Sequence, residues 1–448
     1  MVNKSGSSVV WMLTGTAILG LSGYVFFAVI GHGRFDAPVT AALSATYLLS
    51  NVLGPGVFIA TEQEASRVIS DQRARMGIDL TTVRRLAVVC ALVGMLTLIV
   101  LGIVAPVLLA NVLDGEIGFV LALALSVVGS AAVYYVRGLA GGQQRFHRYA
   151  ASTGIDGGFR IVACVALAAT GVTNPIAYAG ALCAGPAMAA LLTARGVVPA
   201  ADPVGAPASG PAVVTGVPAT TAPAGIPAKD LPEVADPSLG ALGRGVAYLL
   251  VASFVSLAMA NLAPVIVAGL LDIEPAAATG FAAAVVVTRV PLLLMGPIQA
   301  LLLPRLTSAA AAGRFADFRR DTRLGLATIG GLTVIAVAGV GVLGEWGLTV
   351  LVGGSGTFGS PLVLMLLTFS AMLQMAVQFL QPALVAIRRH RMLVVAWLSG
   401  AVVFGLAFLV PIDPIDRGVL AQIAGPLVTM IIELATLGAG VERSPGQR

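Results

Sequence analysis

About twelve uninterrupted apolar runs, most of 20 residues or more, recur from one end of the chain to the other. A run of about 20 such residues is the length of helix that crosses the hydrocarbon core of a bilayer. Backbone groups surrounded by lipid must be hydrogen-bonded within the protein, and these runs lack the short alternation of an outer-membrane strand. They are therefore helices. Composition closes the soluble alternative: the chain is 58% hydrophobic and 10% charged, where soluble domains run at roughly 45–50% and about 25%. A water-exposed globule would lack the polar side chains to cover itself.

Hydropathy places spans near 8–31, 38–61, 84–110, 117–137, 150–171 and 175–195, then 245–270, 277–303, 322–344, 361–387, 392–411 and 418–438. The first run follows Lys4 and exceeds the apolar core of a signal peptide, so it is expected to stay in the mature protein. Charge alternates between loops. Arg67, Arg73, Arg75, Arg84 and Arg85 follow the second span, and Arg137, Arg145 and Arg148 the fourth. Arg305, Arg314, Arg319, Arg320 and Arg323 follow the eighth, and Arg388, Arg389 and Arg391 the tenth. Odd-numbered loops carry Asp114, Glu116, Asp272, Glu274, Glu345, Asp413 and Asp416, with Arg34 and Arg417 as their bases. Basic loops stay on the cytoplasmic side, so both termini are expected there. The net charge of +5 then reflects topology, and nucleic-acid binding is not implied.

Between the sixth and seventh spans, residues 199–242 are dense in Pro, Ala and Gly and have few large apolar side chains. They read as a flexible cytoplasmic linker joining a six-helix half at 1–198 to another at 243–448. Sliding one half onto the other by about 242 residues superimposes every expected helix. Gly54-Pro55 then meets Gly296-Pro297, and His147-Arg148 meets Arg389-His390. With an even number of spans each, the halves share one orientation about an axis along the membrane normal. That is an architecture of transporters.

Several chemistries find no residues here. The only lysines, Lys4 and Lys229, are not preceded by glycine, so no phosphate-cradling loop of a nucleotide motor is present. His32, His147 and His390 stand singly in expected loops, and nothing resembles a metallopeptidase or a serine-hydrolase set. Cys90, Cys164 and Cys183 are scattered through apolar runs as packing residues. No cofactor or metal is expected. A membrane glycosyltransferase would need outer-face acids, for which Asp36 or the Asp413/Asp416 pair are the candidates, but every expected non-cytoplasmic loop is short and offers no catalytic platform.

Ionisable side chains inside a span cost about 2.5–3.5 kcal/mol or more, so those present usually face a partner or a cavity. Arg160 and Arg289 fall near mid-depth of the fifth and eighth spans, and two buried cations suit an anionic phosphate. Asp156, four residues before Arg160, offers a structural ion pair as an equal reading. Arg289 has no local acid, and Pro291 is expected to bend its helix. Gln374, Gln378 and Gln381 make one polar stripe that suits either sugar binding or helix-to-helix hydrogen bonding. Asp156, Glu62, Glu64 and Glu433 are the candidate ion-coupling acids, with solvated helix ends the competing reading for the last three.

Three stretches carry a resemblance: Glu62-Gln63-Glu64-Ala65-Ser66-Arg67, Gly141-Gly142-Gln143-Gln144-Arg145-Phe146, and Arg289-Val290-Pro291 through Leu303-Pro304-Arg305 to Gly313-Arg314-Phe315. With the two six-helix blocks, they resemble the polysaccharide-transporter branch of the multidrug, oligosaccharidyl-lipid and polysaccharide exporter superfamily. O-antigen flippases, lipid II flippases and multidrug and toxin extruders belong to it. The resemblance implies a V-shaped cavity, alternating access and a polyprenyl-phosphate-linked sugar turned from the inner to the outer leaflet of a bacterial cytoplasmic membrane. It implies a lipid-linked glycan and membrane lipids as partners, with envelope glycosyltransferases alongside. Lipid II flippases typically have fourteen helices and arginines in the first span, whereas this first span carries no charge through Ile30. A cation-coupled drug or metabolite exporter of the same fold is the rival reading. The arginine-over-lysine bias with abundant Ala and Gly points to a high-GC bacterium.

Overall fold

The computed structural model describes residues 3–33, 35–75, 78–197, 239–271, 274–289, 292, 314–352, 360–386 and 389–442. Every regular element among them is an α-helix. In chain order these are α1 (Asn3–Gly31), α2 (Ala37–Leu53), α3 (Pro55–Arg75), α4 (Leu80–Asn111), α5 (Ile117–Gly142), α6 (Phe146–Ala169) and α7 (Pro175–Thr193), followed by α8 (Leu239–Leu270), α9 (Pro275–Val287), α10 (Phe315–Val352), α11 (Pro361–Ala386), α12 (His390–Ala407) and α13 (Pro414–Glu442). Among the described residues ten stretches are long and apolar enough to cross a membrane, and two shorter apolar helices lie at Pro275–Val287 and Arg391–Ala407. The expected all-α class is what the chain adopts. The expected linker lies outside the described residues up to residue 238, and α8 begins at Leu239.

The helices overrun the expected spans at their basic ends. Arg67, Arg73 and Arg75 lie on α3 rather than in a loop, and Arg319, Arg320 and Arg323 on the first turns of α10. His147 and His390 begin helices, and Glu345 sits within α10. Hydropathy detects only the apolar part of a helix, and long arginine stems let the polar turns continue it. Arg137 is a different case: it lies inside α5 and is 3% exposed, for a reason given below.

Local chemistry explains several boundaries. Asn174 caps α7 by accepting from the Ile176 amide at 2.9 Å, and Pro175 takes the first helical position, where no amide is missed. The second apolar run, Ala37–Ser70, breaks between α2 and α3 at Gly54-Pro55. A Cβ at Gly54 would stand 2.8 Å from both the Ser50 carbonyl and the Ser130 hydroxyl, so the bend requires glycine there.

Two compact units form. One comprises Met1–Ser22, Ser50–Pro106 and Glu116–Phe254; the other comprises Gly23–Leu49, Val107–Gly115 and Val255–Arg448. In the first, α3 packs on α5, while α5 and α6 both pack on α7. Its core joins Ile69, Leu86, Val136 and Leu139 in one cluster and Phe58, Val127, Val133 and Ala189 in another. Glycine brings α5 and α7 together: a Cβ at Gly129 would be 2.7 Å from the Ala187 amide nitrogen. In the second, α11 and α12 both pack on α13, and α10 packs on α11. Phe318, Leu380, Leu384 and Leu437 make its core with Met372, Met375 and Phe379. The trio α5, α6, α7 thus recurs in its pairwise packing as α11, α12, α13. Outward faces are apolar, with Ile103 of α4 72% and Val342 of α10 82% exposed.

Candidate substrate-binding site

The first unit holds a buried ion network. Asp156 on α6 accepts from Arg160 Nε at 2.9 Å through Oδ1 and from Arg137 Nη2 at 3.0 Å through Oδ2. Arg137 also donates to the Ser152 hydroxyl at 3.1 Å and to its carbonyl at 3.3 Å, and its guanidinium lies 5.2 Å from the centre of the Tyr134 ring. This explains why an arginine expected in a loop is buried: its partner is on the next helix, 19 residues away. Nearby, Tyr149 donates to Glu62 at 2.8 Å, and the charge of Arg137 acts on Glu62 as well. Two arginines therefore share the carboxylate of Asp156, and Glu62 stands close by with Tyr149 as its hydrogen-bond donor. Gly185 of α7 closes over it, since a Cβ there would come within 2.7 Å of Asp156 Oδ1 and 2.8 Å of Arg160 Nε.

The second unit presents a cation in a different setting. Helix α9 stops at Val287, and Thr288 and Arg289 turn away from it, the Arg289 amide bonding the Val286 carbonyl at 3.2 Å. Pro291, where the sequence places a bend, lies outside the described residues. Arg289 Nη1 donates to Asn261 Oδ1 at 3.2 Å. Asn261 Nδ2 in turn bonds the Leu257 carbonyl at 2.9 Å, which turns the amide oxygen towards the arginine. Tyr24 and Tyr47 act electrostatically on Arg289, and the Tyr24 hydroxyl donates to the Val286 carbonyl at 3.2 Å. Among the described residues no carboxylate comes within ion-pair distance of Arg289.

Arg289, Thr288, Ser370, Gln374 and Gln422 line one small cavity together with Ala260, Val285, Leu367 and Ala371. Its volume, about 10 Å³, is room for a single water. Gln374 reaches the Ser256 hydroxyl at 3.5 Å, Gln422 bonds the Ala260 carbonyl at 3.1 Å, and Ser370 bonds the Gln422 carbonyl at 2.7 Å. The polar side chains tie α8, α11 and α13 together and at the same time surround one guanidinium with hydroxyl and amide groups.

The remaining candidates separate. Glu64 is buried and pairs at 2.6 Å with Arg67, whose side chain is 59% exposed. Gln378 lies one turn beyond Gln374 on α11 and does not line the cavity. Glu433 of α13 is fully buried, and neither carboxyl oxygen has a hydrogen-bond partner. Asn261, Tyr24, Tyr47, Ser370 and Gln422 escaped sequence reasoning. Asn261 carried a readable signal, an amide amid the apolar run 245–270; the tyrosines and Ser370 did not differ from ordinary span residues.

No family model matches the chain, and no curated protein sequence matches it significantly. Solved structures do. An inward-facing multidrug resistance MATE family transporter of the MOP superfamily has a TM-score of 0.66 at 11% identity, covering 96% of each chain. The Vibrio cholerae MATE transporter VcmN gives 0.62 at 13% identity, over 98% of this chain and 96% of that one. The lipid II flippase MurJ in an inward closed conformation gives 0.60 at 11% identity, over 96% of this chain and 87% of that one. At such identities the likeness is one of fold, and it spans nearly the whole chain.

Proposed function

We propose that this protein is a transporter of the cytoplasmic membrane that turns a polyprenyl-phosphate-linked sugar or oligosaccharide to the outer leaflet for cell-envelope polysaccharide assembly. The observation that carries the reading is the contrast between the two arginine sites. Arg160 is ion-paired with Asp156, whereas among the described residues Arg289 hydrogen-bonds the neutral Asn261 and lines a small cavity with Thr288, Ser370, Gln374 and Gln422 beside apolar side chains. A guanidinium with no carboxylate within ion-pair distance among the described residues suits an anionic phosphate, and the hydroxyl and amide groups around it suit sugar hydroxyls. The likeness to MATE and MurJ structures supports a transporter rather than an enzyme. In this reading two six-helix halves, at 1–198 and 243–448, alternate about the site, and the charge alternation of the loops puts both termini in the cytoplasm. Arg289 and Gln374, which line the cavity, are the substrate residues of this reading, with Gln378 proposed one turn farther along α11. Arg160 joins them only if its ion pair opens during transport. Glu433, with both oxygens free, is the coupling acid it favours, ahead of Glu62, Asp156 and Glu64, which have partners.

A cation-coupled exporter of drugs or metabolites is the second reading, favoured by the higher TM-scores of the MATE structures and by that unpartnered acid. Depletion of the protein in its host separates the two. The flippase reading expects a lipid-linked glycan to accumulate on the cytoplasmic face. Altered drug sensitivity with no such accumulation would transfer the assignment to the exporter.

A further inference from the structure

Helix α10 begins with an arginine-rich stripe that the transport reading does not use. Arg319, Arg320 and Arg323, with Ala316, Leu324 and Ala327, line a shallow, open groove at the surface. These positions fall on one helix face, and all three arginines are exposed. None forms an ion pair among the described residues; the nearby pair is Arg314 with Asp317 at 3.3 Å. Asp321 lies at least a quarter-turn around the helix from each of the three. The opposite face carries Phe318 and Ile329, buried against α11. The groove is separate from the Arg289 cavity, to which α10 contributes no residue.

The same stripe continues as an exposed apolar track along α10. Leu324 is 63%, Val334 70% and Val342 82% exposed, and only 6% of the apolar window of α10 is buried. Three cations at the polar end of a lipid-facing helix, set directly above an apolar track, match an amphiphile with an anionic head and long chains. Arginine forks bind phosphate oxygens bidentately while their stems lie on apolar surface. We propose that this groove is a binding site for an anionic phospholipid of the bilayer, its phosphodiester held by Arg319, Arg320 and Arg323 and its acyl chains laid along α10. Because the groove lies outside the cavity, the occupant is a resident lipid and not the cargo.

The test uses the full-length purified protein in neutral detergent. Its thermal midpoint is followed during titration with phosphatidylglycerol, with phosphatidylcholine and with free glycerol phosphate. Phosphatidylglycerol is expected to raise the midpoint saturably, and the two controls are not. The triple variant Arg319→Gln, Arg320→Gln, Arg323→Gln should need at least about tenfold more phosphatidylglycerol for half the effect, since each basic residue near a charged surface contributes appreciably. Arg314→Gln, outside the groove, should titrate as the parent does. If the triple variant cannot be purified, the triple lysine replacement takes its place. It keeps the charges that set topology but loses the forks, and should still need more lipid than the parent. An unchanged titration in the variant that is purified, or an equal response to free glycerol phosphate or phosphatidylcholine, would overturn the site.

Discussion

Asp156 uses both carboxylate oxygens on arginines of two helices, so its removal takes from two buried guanidinium groups the carboxylate they share. Breaking a buried pair from one side costs about 3–5 kcal/mol. Asp156→Asn should therefore lower the thermal midpoint and the monodisperse yield in detergent. Normal stability with transport abolished would instead assign Asp156 to coupling. Arg289 predicts the opposite pattern. With no carboxylate paired to it among the described residues, Arg289→Ala should insert and fold as the parent does, since removing a charge from a span eases insertion. Transport per folded molecule should fall by at least about tenfold, the effect of losing about 1.4 kcal/mol or more of phosphate binding. Arg289→Lys should also impair it, because a point charge does not replace the planar fork. Full activity in the alanine variant would remove Arg289 from the site. The sequence showed both arginines near mid-span and offered the i, i+4 partner of Arg160. It did not reveal Arg137 or Asn261, because those contacts join helices distant in the chain, and nothing in local spacing encodes them.

At the scale of helices, approach distance is set by small residues. Gly185 lets α7 lie directly on the Asp156–Arg160 pair, and Gly129 lets it touch α5. Gly185→Ala would place a methyl group against atoms fixed on both sides by ion pairs. The expected cost is about 1–3 kcal/mol, read as a lower thermal midpoint, while Gly180→Ala, whose Cβ would meet nothing within 4 Å, should be neutral. Equal effects from the two would contradict the packing of α7. Helix existence was legible throughout, since a run of apolar residues and a bilayer's thickness determine it together. Helix ends were not. The basic turns of α3 and α10 look like loops to a hydropathy window, although helical hydrogen bonding continues through them into the polar interface.

For the whole molecule, the repeat visible as a shift of about 242 residues reappears as the shared packing of α5–α7 and α11–α13. Hydropathy and turn chemistry carried that much, because both copies must bury the same helix faces. Topology rests on charge alternation alone, and Ser209 in the expected linker tests it. The three native cysteines are buried, so Ser209→Cys supplies the accessible thiol. It should resist an impermeant reagent in intact cells and react after permeabilisation. Labelling in intact cells would invert every loop. The central claim, a lipid-linked anionic sugar as cargo, is tested most directly in proteoliposomes of purified protein loaded with a polyprenyl-phosphate-linked glycan. The exposure of the sugar to an impermeant lectin or glycosidase is followed over time. Parental protein should expose glycan that protein-free vesicles keep hidden, and Arg289→Ala at equal protein content should lose most of that rate. Equal exposure with and without the parental protein, alongside uptake or release of a cationic drug, would contradict the account.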